Sequence, residues 1–261
     1  MTIFDKIVAK KRAEIAHAKD VMRLEALQEQ LSDAPPVRSF LDALAADGPI
    51  KLIAEVKKAS PSRGIIREDF QPVEIATAYA EHGATCISVL TDAAFFQGRL
   101  DHLRDIRQAV DVPLLRKDFI LDTYQLVQAR VAGADGVLLI AECLDDCHLR
   151  ELLHATIELG MTPLVEFHQP ENLPRVLEAG AQLIGINNRD LRTLETDLRH
   201  TVRLRSAIPD DCLVVGESGI HGPRDVRCLA DAGVDAVLVG EHLMASKNIG
   251  LAVQNLLSEV R

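Results

Sequence analysis

The stretch VAGADGVLLI, Val131 to Ile140, reads as a helix end closed by Gly133 and followed at once by a buried strand. The same phrase returns as EHGATCISVL around Gly83, EAGAQLIGIN around Gly180 and DAGVDAVLVG around Gly233, the four glycines lying 50, 47 and 53 residues apart. That interval is too long for one strand and one helix, so each holds two such units. The intervening strands are Leu52 to Val56, VPLLRKDF near Leu114, TPLVEFH near Leu164 and CLVVGESG near Val214. Helical spacing between them falls near Val73 to Glu81, Leu100 to Val110, Thr123 to Ala132, Cys147 to Leu159, Glu171 to Glu178, Leu198 to Ile208, Arg224 to Ala232 and Ile249 to Val260. Strict alternation of strand and helix requires a parallel sheet with helical crossovers. Eight units with internal echoes predict a closed (β/α)8 TIM barrel in preference to an open doubly wound sheet.

Residues 1 to 47 precede this pattern and differ from it. Phe4, Ile7, Val8 and Ile15, then Leu24, Leu27 and Leu31, then Val37, Phe40, Leu41 and Leu44 recur at helical spacing, with Pro35-Pro36 before the third segment. This is an N-terminal helical extension whose apolar stripe must lie against something, as a cap in preference to a lid. With 48% hydrophobic residues and no linker-like segment, residues 1–261 are expected to form one barrel domain carrying that extension.

A net charge of −10 and the lack of a basic run argue against nucleic acid and anionic membranes as partners. The charged start has no signal-peptide centre, and no apolar run approaches the roughly 18 residues of a membrane span. A cytoplasmic protein, monomeric or weakly homo-oligomeric, is expected. Five cysteines form an odd set, with Cys86 and Cys212 inside apolar runs. Cys143, Cys147 and His148 lack the fourth ligand that a structural zinc site needs.

In KLIAEVKKASPSRG, Lys51 to Gly64, alternation puts Ile53, Glu55 and Lys57 on one strand face. A buried charge is costly unless paired, so these two must be explained, either as a structural ion pair or as chemistry. The other strand ends favour chemistry. Lys117 and Asp118 end the third strand, Glu166 the fifth, Asn187 and Arg189 the sixth, and Glu217 and Ser218 the seventh. In this fold that rim carries the active site. Cations and carboxylates delivered to one end by five strands point to a site for an anionic substrate. Two glycine turns, GESGI at Gly216 to Ile220 and VGEHL at Val239 to Leu243, end the last two strands, where a phosphate is commonly held. Ser218, Gly219, Gly240 and Glu241 are therefore the candidate phosphate residues, with Lys57 as a further cation. His168 and His221 lie near the rim, but no Ser-His-Asp arrangement is legible.

Taken together, EVKKASPS (Glu55 to Ser62), LRKDF (Leu115 to Phe119), LVE (Leu164 to Glu166), INNRDL (Ile186 to Leu191) and GESGI resemble the motifs of the indole-3-glycerol phosphate synthase family. The resemblance spans essentially the whole chain, extension included, and is to the monofunctional form. It implies a phosphorylated small-molecule substrate, 1-(o-carboxyphenylamino)-1-deoxyribulose 5-phosphate, closed to indole-3-glycerol phosphate with loss of CO2 and water. It implies neither metal nor organic cofactor.

Carried over residue by residue, the resemblance makes Glu55, Lys57, Lys117, Glu166, Asn187 and Ser218 catalytic candidates. Lys117 is expected as general acid at the ketone, its pKa drawn towards neutrality by desolvation and neighbouring cations. Glu166 is the expected general base, assisted by Glu55, and Lys57 neutralises substrate charge or donates in the dehydration. Which lysine is the acid in each step stays open. Ser60, Phe119, Arg189, Leu191 and Glu217 are expected to bind substrate, Ser60 near its carboxylate and Phe119 as an apolar wall. Many members carry serine where this chain has Glu241 or His242. Gly240 is thus expected to offer its N–H while the Glu241 side chain points away from the phosphate.

Overall fold

The computed structural model describes residues 2–260. Eight parallel strands close a barrel: β1 (Lys51–Val56), β2 (Cys86–Leu90), β3 (Leu114–Lys117), β4 (Gly136–Ile140), β5 (Thr162–Phe167), β6 (Leu183–Asn187), β7 (Leu213–Glu217) and β8 (Ala236–Val239). Ring closure is made by β1, whose Ala54 lies beside Val239 on one side and Ile87 on the other.

The unbroken apolar runs follow from burial on both strand faces. Leu52, Ala54, Ile87, Val89, Val137, Val165, Ile184 and Val214 point outward into the layer shared with the helices. Ile53, Cys86, Leu115, Leu138, Leu164, Leu183, Val215 and Leu238 point inward and fill the barrel. All four echoed glycines have positive φ, between 80° and 111°, a left-handed turn that any Cβ would strain. The echo has a second element. Asp135 and Asp235 accept hydrogen bonds at 2.8 Å from the N–H groups of Leu114 and Val214, so each ties the start of the strand before its own.

The extension forms helices α1 (Ile3–Val21), α2 (Leu24–Glu29) and α3 (Phe40–Ala45); Met1 lies outside the described residues. It caps both ends of the barrel. At the mouth, Phe4 and Ile7 of α1 join Phe119 and Ile140, and at the floor Phe40 and Leu44 of α3 close the same interior cluster. Phe40 is fully buried and packs beneath Gly136.

The eight expected crossover helices are present, with shifted ends. The fifth opens with a 3-10 turn at Pro170–Asn172, the sixth is only Arg199–Arg205, and the last stops at Leu256. Besides the 3-10 turns at Gln30–Asp33 and Ala141–Cys143, two further elements lie outside the expected pattern. One is a two-residue ladder pairing Ala59–Ser60 with Gly64–Ile65, and the other a short helix at Glu241–Ala245. Neither is long enough to display a period. Among the described residues no helix is long and apolar enough to cross a membrane.

Candidate active site

The inward register that fills the barrel also builds the site one step higher. Two residues beyond Ile53, Leu115, Leu164, Gly185 and Val215 come Glu55, Lys117, Glu166, Asn187 and Glu217, so five strands present polar groups in one layer above the apolar plug. Lys117 is its centre. Its ammonium lies 2.8 Å from Glu217 Oε2, 3.3 Å from Glu55 Oε2 and 3.9 Å from Glu166 Oε2. Lys57 reaches the other oxygen of Glu55 at 2.6 Å, and Asn187 Nδ2 donates to Glu166 Oε1 at 2.9 Å.

Two glycines make this density possible. A Cβ on Gly185 would strike Glu217 Oε1, and one on Gly240 would strike the Glu55 carboxylate. Gly240 therefore has a steric duty towards Glu55 that the sequence reading, which assigned it to phosphate, did not include. Glu217 Oε1 itself is buried with no hydrogen-bond donor among the described residues.

Electrostatics separate Glu55 from Glu166. Burial would raise the pKa of Glu55, but Lys57 and Lys117 outweigh it and hold the group at about 2. For Glu166, burial and the adjacent Glu217 prevail over Lys117 and Asn187 and push the pKa well above the ordinary carboxylate range. Lys117 departs from expectation. Burial alone would lower its pKa, yet Glu217, Glu55 and Glu166 raise it beyond that of a free lysine. Lys117 is ringed by carboxylates, and not by the cations expected from the strand-end sequence.

Loops complete the mouth. After β1, Ser60 lies 3.3 Å from Ser62 across their hydroxyls. Arg189, beyond β6, donates to Ser62 Oγ at 2.7 Å and to Glu241 Oε2 at 3.3 Å, while its own N–H is held by Asn187 Oδ1 at 3.0 Å. Arg63 closes the other oxygen of Glu241 at 2.6 Å. Glu241 is thus held below its usual pKa: partial burial opposes this, but Arg63, Arg189 and Lys57 prevail. Ser218 and Gly219 both have positive φ, 65° and 74°, bending the turn after β7 so that both face the cavity. Phe119 meets Phe4 edge-on with ring centroids 6.5 Å apart and Phe96 at 6.2 Å, forming an aromatic wall.

The cavity encloses about 1150 Å³ including its open mouth, ample for a sugar phosphate joined to an aromatic ring. Glu55, Lys57, Ser60, Lys117, Phe119, Glu166, Asn187, Arg189, Leu191, Ser218, Gly219, Gly240 and Glu241 all line it, and Glu217 supports it from beneath through Lys117. Asp118 plays a different part from its neighbour. Its carboxylate is buried among Lys11, Arg116 and Thr91, anchoring α1. His168 is directed away, bonded to the Asn187 carbonyl at 2.8 Å and stacked on His200, whereas His221 does line the cavity. Ser62, Phe96 and Leu194, with Ile3, Phe4 and Ile7 from α1, also line the cavity without having been expected there. The α1 stripe was visible in the sequence, but nothing local says which end of the barrel it covers. Among the described residues no three His, Cys, Asp or Glu side chains converge on a metal position.

The sequence profile of "Indole-3-glycerol phosphate synthase" matches residues 4–256. The chain belongs to the indole-3-glycerol phosphate synthase family. The family's enzyme from Rhodopirellula baltica is 55% identical over 258 residues, covering 99% of this chain and 100% of that one. The one from a Polaromonas species is 48% identical over 257 residues, covering 97% of each. Solved structures of other activities share the fold alone. A 3-hexulose-6-phosphate synthase from Salmonella typhimurium has a TM-score of 0.64 at 15% identity, covering 81% of this chain and 98% of that one. A tryptophan synthase α-subunit from Pyrococcus furiosus has 0.62 at 17%, covering 81% and 100%. The activity is accordingly that of indole-3-glycerol phosphate synthase, a decarboxylating lyase of tryptophan biosynthesis acting on a phosphorylated small molecule.

Proposed function

We propose that this cavity performs the ring closure with Lys117 as acid and Glu166 as base. The observation carrying the reading is the inward ammonium of Lys117 among carboxylates from three other strands, beside an aromatic wall and across from two glycine turns. The substrate phosphate lies against the backbone of Ser218, Gly219, Gly240 and Glu241, with the Ser218 hydroxyl and Lys57 contributing. Its benzoate ring packs on Phe119 and Leu191, its carboxylate near Ser60, and Arg189 and Asn187 orient the chain between.

The aromatic carbon bearing the carboxylate attacks the ketone carbon. As the C–C bond forms, the carbonyl π pair takes a proton from Lys117 and becomes a hydroxyl. The high pKa of Lys117 keeps it protonated until then, and a nascent alkoxide is basic enough to take that proton. CO2 then departs, its bonding pair returning to the ring. Finally the hydroxyl leaves as water with a proton from Lys57, while Glu166 removes the neighbouring C–H proton. The Glu166 carboxyl is pushed above the ordinary carboxylate range and Glu55 is held below it. Glu55 thus orients the two lysines in this reading and does not itself take protons. We place the enzyme in the cytoplasm as one barrel domain, monomeric or weakly self-associating, without a nucleic-acid partner.

The test is turnover of the anilino-deoxyribulose phosphate, followed by indole absorbance and CO2 release. Lys117→Ala is expected to lose about 10²- to 10⁴-fold in kcat with an unchanged circular dichroism spectrum. Near-normal turnover from a folded Lys117→Ala protein would transfer the acid role to Lys57.

A further inference from the structure

A carboxylate beside a phosphate site is repulsive unless something answers it, and Glu241 is answered twice. Its two oxygens are taken by Arg63 from the loop after β1 and by Arg189 from the loop after β6, at 2.6 and 3.3 Å. Arg189 also donates to Ser62 at 2.7 Å, next to Arg63. Four side chains from three loops therefore form one continuous bridge across the mouth. Glu241 is its only anion and the only member rooted on the turn after β8. We propose that Glu241 is a positioning residue, whose carboxylate sets the Arg189 guanidinium and pins the Ser62–Arg63 segment over the cavity, so that substrate meets a preformed binding arm.

The argument rests on charge and reach. Without the carboxylate, the Arg189 and Arg63 guanidiniums that meet at Glu241 are two cations with no anion between them, and their repulsion spreads the two loops apart. Arg63, two-thirds exposed, has no other ion-pair partner among the described residues. Among the described residues the Arg189 side chain retains only Ser62, while its backbone keeps Asn187 Oδ1 and the bridge to Thr196. The turn that would hold phosphate is left as it is, because Gly240 and the backbone of 241 do not depend on that side chain's charge. This assignment builds on the reading of Arg189 as a substrate-binding residue, but its structural half is independent of any substrate.

The experiment has two arms. Amide hydrogen exchange on the ligand-free protein, wild type against Glu241→Gln, is expected to speed exchange of the 61–66 segment at least about threefold without lowering Tm. In steady-state kinetics Glu241→Gln and Arg63→Gln are each expected to raise KM about three- to tenfold, with kcat within about twofold, a loss of uniform binding. The double variant should be no worse than either single one, because both remove the same bridge. Unchanged exchange in the 61–66 segment, or KM effects that multiply in the double variant, would overturn the assignment. Accelerated exchange with unchanged KM would overturn the part that makes Arg189 a binding arm, while leaving the acid–base reading of Lys117 to its own test.

Discussion

Lys117 and Glu166 are 3.9 Å apart and are driven in the same direction for opposite reasons. Three carboxylates keep the ammonium charged; burial and Glu217 make the carboxylate reluctant to ionise. A general base must be ionised to act, so kcat/KM is expected to fall on the acid side with an apparent pKa above the usual carboxylate range. Glu166→Gln should lose that limb along with about 100-fold in kcat, as read from pH–rate profiles of the two proteins. Stability should move the other way. A carboxyl whose folded pKa is raised contributes stability that is present at low pH and lost as pH rises through that pKa. Glu166→Gln mimics the protonated form, so its Tm is expected to exceed wild type at pH 8, the gap closing towards pH 4. Equal Tm values at both pH values would mean that Glu166 ionises freely in the folded protein. At this scale the residues themselves were legible, because charges at the ends of apolar runs stand out. Their pKa directions were not, since the neighbours that set them come from strands 50 to 100 residues away.

Helix α1 is held at the mouth by one buried cation. Lys11 is 4% exposed and lies 2.8 Å from Asp92 and 2.9 Å from Asp118, with Glu14 completing its shell. Asp118 keeps Arg116 and Thr91 if Lys11 is removed; Asp92 has no second cation among the described residues. Lys11→Ala should therefore cost about 3 to 5 kcal/mol and loosen Phe4 and Ile7 from Phe119. A lower Tm and a raised KM, with little change in kcat, are expected. A KM identical to wild type in the folded variant would show that α1 contributes packing alone. The amphipathic stripe announced that this helix must be covered. In the sequence Lys11 resembles any other surface lysine of a charged helix, since its partners lie on other elements.

Across the whole molecule the extension serves opposite ends of one cylinder, α1 at the cavity mouth and α3 at the floor. Phe40 is the floor's main plug, so Phe40→Ala is expected to cost about 3 to 5 kcal/mol by denaturant titration while kcat stays at its wild-type value. A large loss of kcat in the folded variant would mean that the floor governs the geometry of the mouth. The sequence by itself determined the barrel, because alternation of period-two and helical spacing, repeated with glycine ends, admits few other closed solutions. It also determined which polar side chains stand at the C-terminal rim of the strands, since strand parity and position after an apolar run are local properties. Tertiary structure alone decided that Lys117 is ringed by carboxylates, that Asp118 anchors a helix, and that Gly240 gives room to Glu55. It alone decided that Glu241 joins two arginines. Each of these depends on distances between strands and loops far apart in the chain, which no local pattern of residues encodes.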